Sequence, residues 1–222
     1  MIYITGDMHG DIGRFKSKEV RRLKKGDTLI VCGDFGFVWD GSEREAKTLK
    51  WIGKRRFNTL FVEGNHDNIS LLCSYPITEW QGGKTREISG KLRLLCRGEV
   101  VTVEDKKIFA FGGGGYEDEG ALAINPEGQD LPTPEEIENG RQNLIKHDYK
   151  VDYIITHRPS RKIMQFLLMG LNTANVLDAF FDEVREKCAH RRWFFGCIHK
   201  NKPVPPGEMA LFTAVVSADG EL

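Results

Sequence analysis

Leu29-Ile30-Val31-Cys32 is an unbroken apolar run that stops at Gly33-Asp34. A strand wetted on one face alternates apolar and polar residues, whereas an unbroken run needs cover on both faces. Short β-rich runs recur at Ile2–Thr5, Thr28–Cys32, Thr59–Val62, Val100–Val103, Ile108–Phe111, Tyr153–Thr156, Trp193–Phe195 and Leu211–Val216. Helical patterns lie between them. Ser42 and Glu45 form a capping-box pattern ahead of a run reaching about Arg56. Thr133, Pro134 and Glu136 do the same ahead of a run reaching about His147. A further helix is expected from Thr173 to Cys188. Strands alternating with helices indicate an α/β layered fold, and 222 residues suit one domain over residues 1–222. The Pro-, Gly- and acid-rich stretch from Asn125 to Pro134 reads as a surface loop or a boundary.

Polar residues gather where the strands end, usually beside glycine. Gly6-Asp7-Met8-His9-Gly10-Asp11 follows the first run, Gly33-Asp34 the second, and Gly64-Asn65-His66-Asp67 the third. His157 follows Tyr153–Thr156, and Gly196-Cys197-Ile198-His199 follows Trp193–Phe195. Ligands of open α/β sheets bind outside the carboxyl ends of the strands. Five such ends, all bearing N, O or S donors, can therefore meet at one site. Carboxylates, an amide oxygen and imidazoles suit divalent Mn, Fe or Zn. A carboxylate lying between two ions can bridge them, and such a pair clamps phosphoryl oxygens and acidifies water. Gly112–Gly115 also follows a strand, but no Gly-Lys-Ser/Thr continues it, so it reads as a tight turn rather than a phosphate loop.

Composition removes other classes. Lys+Arg and Asp+Glu are both 32, so bulk positive charge does not hold this chain to nucleic acid. The clusters Arg21, Arg22, Lys24, Lys25 and Lys54, Arg55, Arg56 read as solvated helix faces. Five scattered cysteines suggest neither a disulfide framework nor a zinc knuckle. MIYITGDMHG lacks the basic and apolar regions of a signal peptide, and no segment is long enough to cross a bilayer. A cytoplasmic setting without a membrane partner is expected.

The ordered set Asp-x-His, Gly-Asp, Gly-Asn-His-Asp, His and Gly-Cys-x-His resembles the calcineurin-like metallophosphoesterase superfamily, in its small bacterial and phage-type form. The resemblance covers Asp7 to His199. It implies a four-layer sandwich of two mixed β-sheets flanked by helices. It further implies two divalent metal ions, a bound hydroxide that attacks a phosphodiester or phosphomonoester, and a small phosphate-ester substrate, nucleotide-like ones among them. By motif position, Asp7, His9 and His199 would hold the first ion and Asp34 would bridge. Asn65 and His157 would hold the second, with Cys197 where its last ligand is expected. His66 would be the catalytic histidine that contacts phosphate and protonates the leaving oxygen. Mn is the family expectation, with Zn or Fe favoured if Cys197 ligates.

The chain departs from the pattern twice. Many phosphomonoesterases of the family read Gly-Asp-x-x-Asp-Arg-Gly, but Phe37 and Val38 stand here for that second Asp and the Arg. Protein-phosphatase-type chemistry is accordingly less expected. Asp67 or Asp40 would then support His66, and Arg158 would supply positive charge to phosphate. Phe35, Phe37 and Trp39 either form an apolar lip for an aromatic group or pack in the core, and Tyr116 is a further candidate wall. The second departure is Cys197 for histidine, whose shorter side chain either completes the second site as a thiolate or leaves it one ligand short. A catalytically weakened scaffold and a nuclease acting on short nucleic acids are the competing readings.

Overall fold

A computed structural model of the chain describes residues 1–115, Asn125, 128–167 and 175–220. Among these residues, thirteen strands form two mixed sheets. The first four strands are β1 (Ile2–Thr5), β2 (Thr28–Cys32), β3 (Asn58–Val62) and β4 (Ile77–Trp80). Next come β5 (Gly83–Ser89), β6 (Leu92–Leu95), β7 (Glu99–Val103), β8 (Lys106–Phe111) and β9 (Tyr153–Thr156). The last are β10 (Arg192–Phe195), β11 (Lys202–Val204), β12 (Glu208–Ala210) and β13 (Val215–Ser217). Seven strands pair in the order β13-β1-β2-β3-β6-β5-β4 and six in the order β11-β12-β10-β9-β8-β7. At the centre of each sheet the strands are parallel: β1, β2, β3 and β6 in one, β8, β9, β10 and β12 in the other.

Helices cover the outer faces. They are α1 (Ile12–Phe15), α2 (Lys18–Arg21), α3 (Glu43–Gly53), α4 (Ile69–Ser74), α5 (Pro134–Lys146), α6 (Arg161–Leu167) and α7 (Val176–Lys187). The unbroken apolar runs are explained by three stacked cores. Within β2, Leu29 and Val31 pack outward with Phe15, Leu49 and Ile52, while Ile30 and Cys32 point into the space between the sheets. There they meet Ile108, Ala110 and Ile155 of the second sheet. The outer face of that sheet offers Phe109, Phe111, Trp193 and Phe195 to Leu144, Phe180 and Phe181. Successive strand residues face opposite ways, so a strand between two hydrophobic layers has no wet side to mark with polar residues. This is the expected four-layer arrangement.

The capped helices form as read. Ser42 accepts from the Glu45 N–H, and a reciprocal capping box joins Thr133 and Glu136. The expected helix at Thr173–Cys188 is observed at Val176–Lys187, capped by Asn175; residues 173 and 174 lie outside the described ones. One strand expectation fails. Leu211–Val216 is not one strand: residues 211–214 are irregular between β12 and β13, because each flanking piece pairs in a different sheet. The hairpins of β4, β5 and β6 have mixed polar patterns and were not anticipated.

Candidate metal centre

The loops after β1, β2, β3, β9 and β10 meet across the adjoining ends of the two sheets. Hydrogen bonds stitch them together. The N–H groups of Met8 and His9 donate to the Asp34 carbonyl at 3.0 and 2.8 Å, and the Gly196 N–H donates to the His157 carbonyl at 3.0 Å. Nine described non-glycine residues have positive φ, and four of them are His9, Asp34, Cys197 and His199. Such conformations are costly and persist where the surroundings enforce them, commonly at functional sites. Two glycines permit the close approach. A Cβ on Gly33, whose φ is +90°, would collide with the His157 ring, and a Cβ on Gly196 would collide with the Asp7 carboxylate.

One ligand atom from each of Asp7, His9, Asp34 and His199 lies within 4.8 Å of the others. His199 Nε2 is 3.1 Å from Asp7 Oδ2, His9 Nε2 is 3.0 Å from His199 Nε2, and His9 Nε2 is 3.9 Å from Asp34 Oδ2. The two carboxylates are buried, while the two imidazoles reach in from the exposed side. Asp34 also faces the other way, with Oδ2 3.7 Å from His157 Nε2. It therefore lies between the first cluster and a second set of donors.

That second set is Asn65 and His157, with Cys197 following in the loop after β10. His157 is wholly buried. Its Nδ1 is 3.1 Å from the Cys32 carbonyl, which can only accept, so Nδ1–H donates there and Nε2 is the ring atom that faces the site. Nε2 lies 2.9 Å from Asn65 Oδ1. The backbone N–H of Cys197 donates to both Asp7 oxygens at 3.2 and 3.1 Å, which places the residue beside both donor sets. His66 stands at the rim, its ring centroid 5.8 Å from that of His9 and its backbone N–H donating to Asp34 Oδ1 at 2.9 Å.

The imidazole pKa values reflect this crowding. Burial lowers that of His9 against the pull of Asp34 and Asp7. The hydrogen bond with Asp7 raises that of His199. Burial works against the His157 cation, but Asp34, Cys197 and Asp7 together outweigh it and raise its pKa. Buried carboxylates drawing protons onto neighbouring imidazoles form a donor set short of positive charge, which a divalent ion would supply while displacing those protons. The residues present thus fit one ion held by Asp7, His9, Asp34 and His199. Asp34, Asn65 and His157 bring further donor atoms together beside it.

A model of the calcineurin-like phosphoesterase family matches residues 1–186. The chain belongs to this family. The matched span ends before Cys197 and His199, which β10 nevertheless carries into the same site as the family-matched Asp7 and Asp34. No curated protein matches the chain.

Several expectations change with the geometry. Arg158 is 2% exposed, and its Nη2 donates to both Asp178 oxygens at 3.1 and 3.2 Å. Phe35 and Phe37 belong to the core beneath the first sheet, where Phe35 stacks on Phe61 at 4.2 Å, so of the three aromatics only Trp39 stands exposed. Tyr116 lies outside the described residues. Asp40 accepts from the Ser42 N–H ahead of α3. Asp67 accepts the N–H groups of Phe35, Gly36 and Gly64 at 3.1, 2.7 and 2.9 Å, and so ties the Asp34 turn to the Asn65 turn.

Asn125, read only as loop, proves structural to the site. Its amide donates to the carbonyls of Asn65 and Asp67 at 2.9 and 2.8 Å, and its oxygen accepts from the Ile69 N–H at 3.1 Å. Nothing in the sequence around it signals that role. In the glycine run after β8, three N–H groups are already used. Gly113 donates to the Glu63 carbonyl, Gly114 to the Asp130 carbonyl and Gly115 to the Asp130 side chain. No helix among the described residues is long and apolar enough to cross a membrane.

Proposed function

We propose that the chain hydrolyses small phosphate esters at this centre. The observation that carries the reading is the convergence of Asp7, His9, Asp34 and His199 at buried strand ends, with His66 beside them on the open side. When bound, divalent ions would supply Lewis acidity, which neutralises phosphoryl charge and acidifies water. The remaining work belongs to the chain's own side chains. Asp34 is held by the His66 N–H and faces both donor sets, so it keeps the two sets in register. The His157 Nδ1–H bond to Cys32 fixes the ring's tautomer and orientation.

His66 lies at the mouth, within reach of solvent and next to His9, where it can hand a proton to the leaving oxygen. With Phe37 and Val38 in place of an Asp and an Arg, the rim lacks that phosphate-gripping guanidinium, and this favours diesters over dianionic monoesters. Mn²⁺, Zn²⁺ and Fe²⁺ are the ions to test. Metal-free protein reloaded with each in turn would be assayed on bis-aryl and mono-aryl phosphates. Turnover with at least one ion, lost in Asp34→Ala, is the expected result. Absence of turnover with every ion, despite measured metal uptake, would favour a scaffold role and end the enzymatic reading.

A further inference from the structure

A cleft of about 600 Å³ opens at His9 and His66 and passes Trp39 and Arg44. It continues into a second cavity of about 630 Å³, which shares Ile12, Arg44 and Thr48 with the first. We propose that this groove binds the alcohol portion of the substrate, and that this portion carries a planar aromatic ring with a further anionic group beyond it, the chemistry of a nucleotide unit. The inference deepens the phosphoesterase reading and rests on it for the position of the scissile ester.

Trp39 supplies the ring-binding surface. It is 45% exposed, although its neighbours Phe35 and Phe37 are buried. Its backbone is held at both ends. The N–H donates to Glu45 Oε2 at 2.7 Å, and the carbonyl accepts from Asn68 Nδ2 at 2.8 Å. Glu45 is itself buried, accepts the Asp40 N–H at 2.8 Å with the same oxygen, and is anchored through its own N–H to Ser42. A buried carboxylate thus fixes a loop whose one exposed large side chain is an indole. An aromatic surface held before a ligand arrives loses little conformational freedom on binding, and base–aromatic stacking tolerates any base.

The anionic group is indicated by the far cavity. Its charged lining is Lys16, Arg44 and Lys47 against Glu43 alone, on a chain whose formal net charge is zero. The Lys47–Glu43 pair is 3.9 Å apart with both side chains more than four-fifths exposed, so it does not hold Lys47 away from a phosphate. Positive charge is gathered there beyond what the chain as a whole provides. In order from the metal centre, the groove offers a proton donor, a stacking face and a cationic end.

Binding and turnover together test this. Equilibrium binding of adenosine 3′,5′-bisphosphate, adenosine 5′-monophosphate and ribose 5-phosphate would be measured by calorimetry on the full chain. Trp39→Ala is expected to weaken both adenosine ligands roughly tenfold relative to ribose 5-phosphate, with Trp39→Phe restoring most of the loss. Arg44→Ala combined with Lys47→Ala is expected to weaken the bisphosphate more than the monophosphate. In turnover, Trp39→Ala should lower the kcat/KM ratio of an adenosine-containing diester to a glycerol diester by a similar factor. Equal weakening of all three ligands, or none, overturns the inference. Ester hydrolysis with a Trp39-independent ratio overturns the groove and leaves the phosphoesterase reading standing. Trp39-dependent adenosine binding with no hydrolysis of any ester does the reverse.

Discussion

Replacing Asp67 tests how the site is built. The residue is fully buried and touches no solvent, yet it accepts three backbone N–H groups from the two turns that present Asp34 and Asn65. Asp67→Ala strands three backbone donors, two of them buried and the third partly so. Each unsatisfied donor costs about 1–3 kcal/mol, so a loss of about 3–6 kcal/mol is expected once partial relaxation is allowed for. Asp67→Asn keeps one acceptor oxygen and should cost less. Its effect also depends on pH in a defined way. Burial is the main force on the Asp67 carboxyl, reinforced by the charge of Asp34. Against the pull of its three N–H bonds, these push its pKa up to about 7.

A carboxyl whose folded pKa is raised binds its proton more tightly folded than unfolded. Its contribution is fully present below the unfolded value of roughly 3.9 and is lost as pH rises through the folded value. From pH 4 to 8, the natural metal-free protein should therefore lose about 4 kcal/mol relative to Asp67→Asn, which has no such titration. Urea unfolding of both proteins at several pH values reads this difference directly. Loading the centre with metal should shrink it, because a cation beside Asp34 offsets the charge that helps to raise Asp67. A flat difference between the two proteins across that range would refute the assignment of Asp67 as a buried, proton-retaining clamp. A loss below about 1 kcal/mol in Asp67→Ala would refute its role in holding the turns.

Three further outcomes are expected. His66→Ala should lower kcat by about 10²–10⁴-fold while metal stoichiometry, measured by mass spectrometry, stays as in the natural protein; loss of metal instead would place His66 in the centre rather than beside it. Cys197→Ala should weaken retention of the second ion about tenfold or more in a chelator titration, and unaltered affinity would remove the thiol from the ligand set. Arg97 is 7% exposed and paired with Glu63 and with Glu136, the latter at 2.7 Å. Arg97→Ala should consequently cost about 3–5 kcal/mol in unfolding free energy by leaving Glu63 buried without its partner.

The central strands, the capped helices and the order of the donor residues were legible because each depends on neighbours close in sequence. An apolar run ending in Gly-Asp or Gly-Asn-His-Asp specifies a buried strand and a polar turn wherever the strand finally packs. The short polar hairpins were not legible, since β4 has partly wetted faces and its pairing with β5 is decided by contacts along the sheet edge. Leu211–Val216 misled for a related reason: its apolar residues serve two different sheets, and the chain must leave one to reach the other.

At the site, the sequence by itself determined which residues sit at strand ends and therefore which donors are available: Asp7, His9, Asp34, Asn65, His157, Cys197 and His199. Only the tertiary structure decided what each side chain touches there. Arg158 adjoins His157 in the chain, and its guanidinium forms a buried pair with Asp178. Phe35 and Trp39 are four residues apart, yet one fills the core and the other lines the cleft. Asp67 reaches the Phe35 and Gly36 N–H groups and Asn125 the Asp67 carbonyl, at distances in sequence that no local pattern encodes. The physical reason is common to all of these: strand and turn formation follow from local chain preferences, whereas burial, hydrogen-bond partnership and charge environment arise only when segments far apart in sequence are packed together.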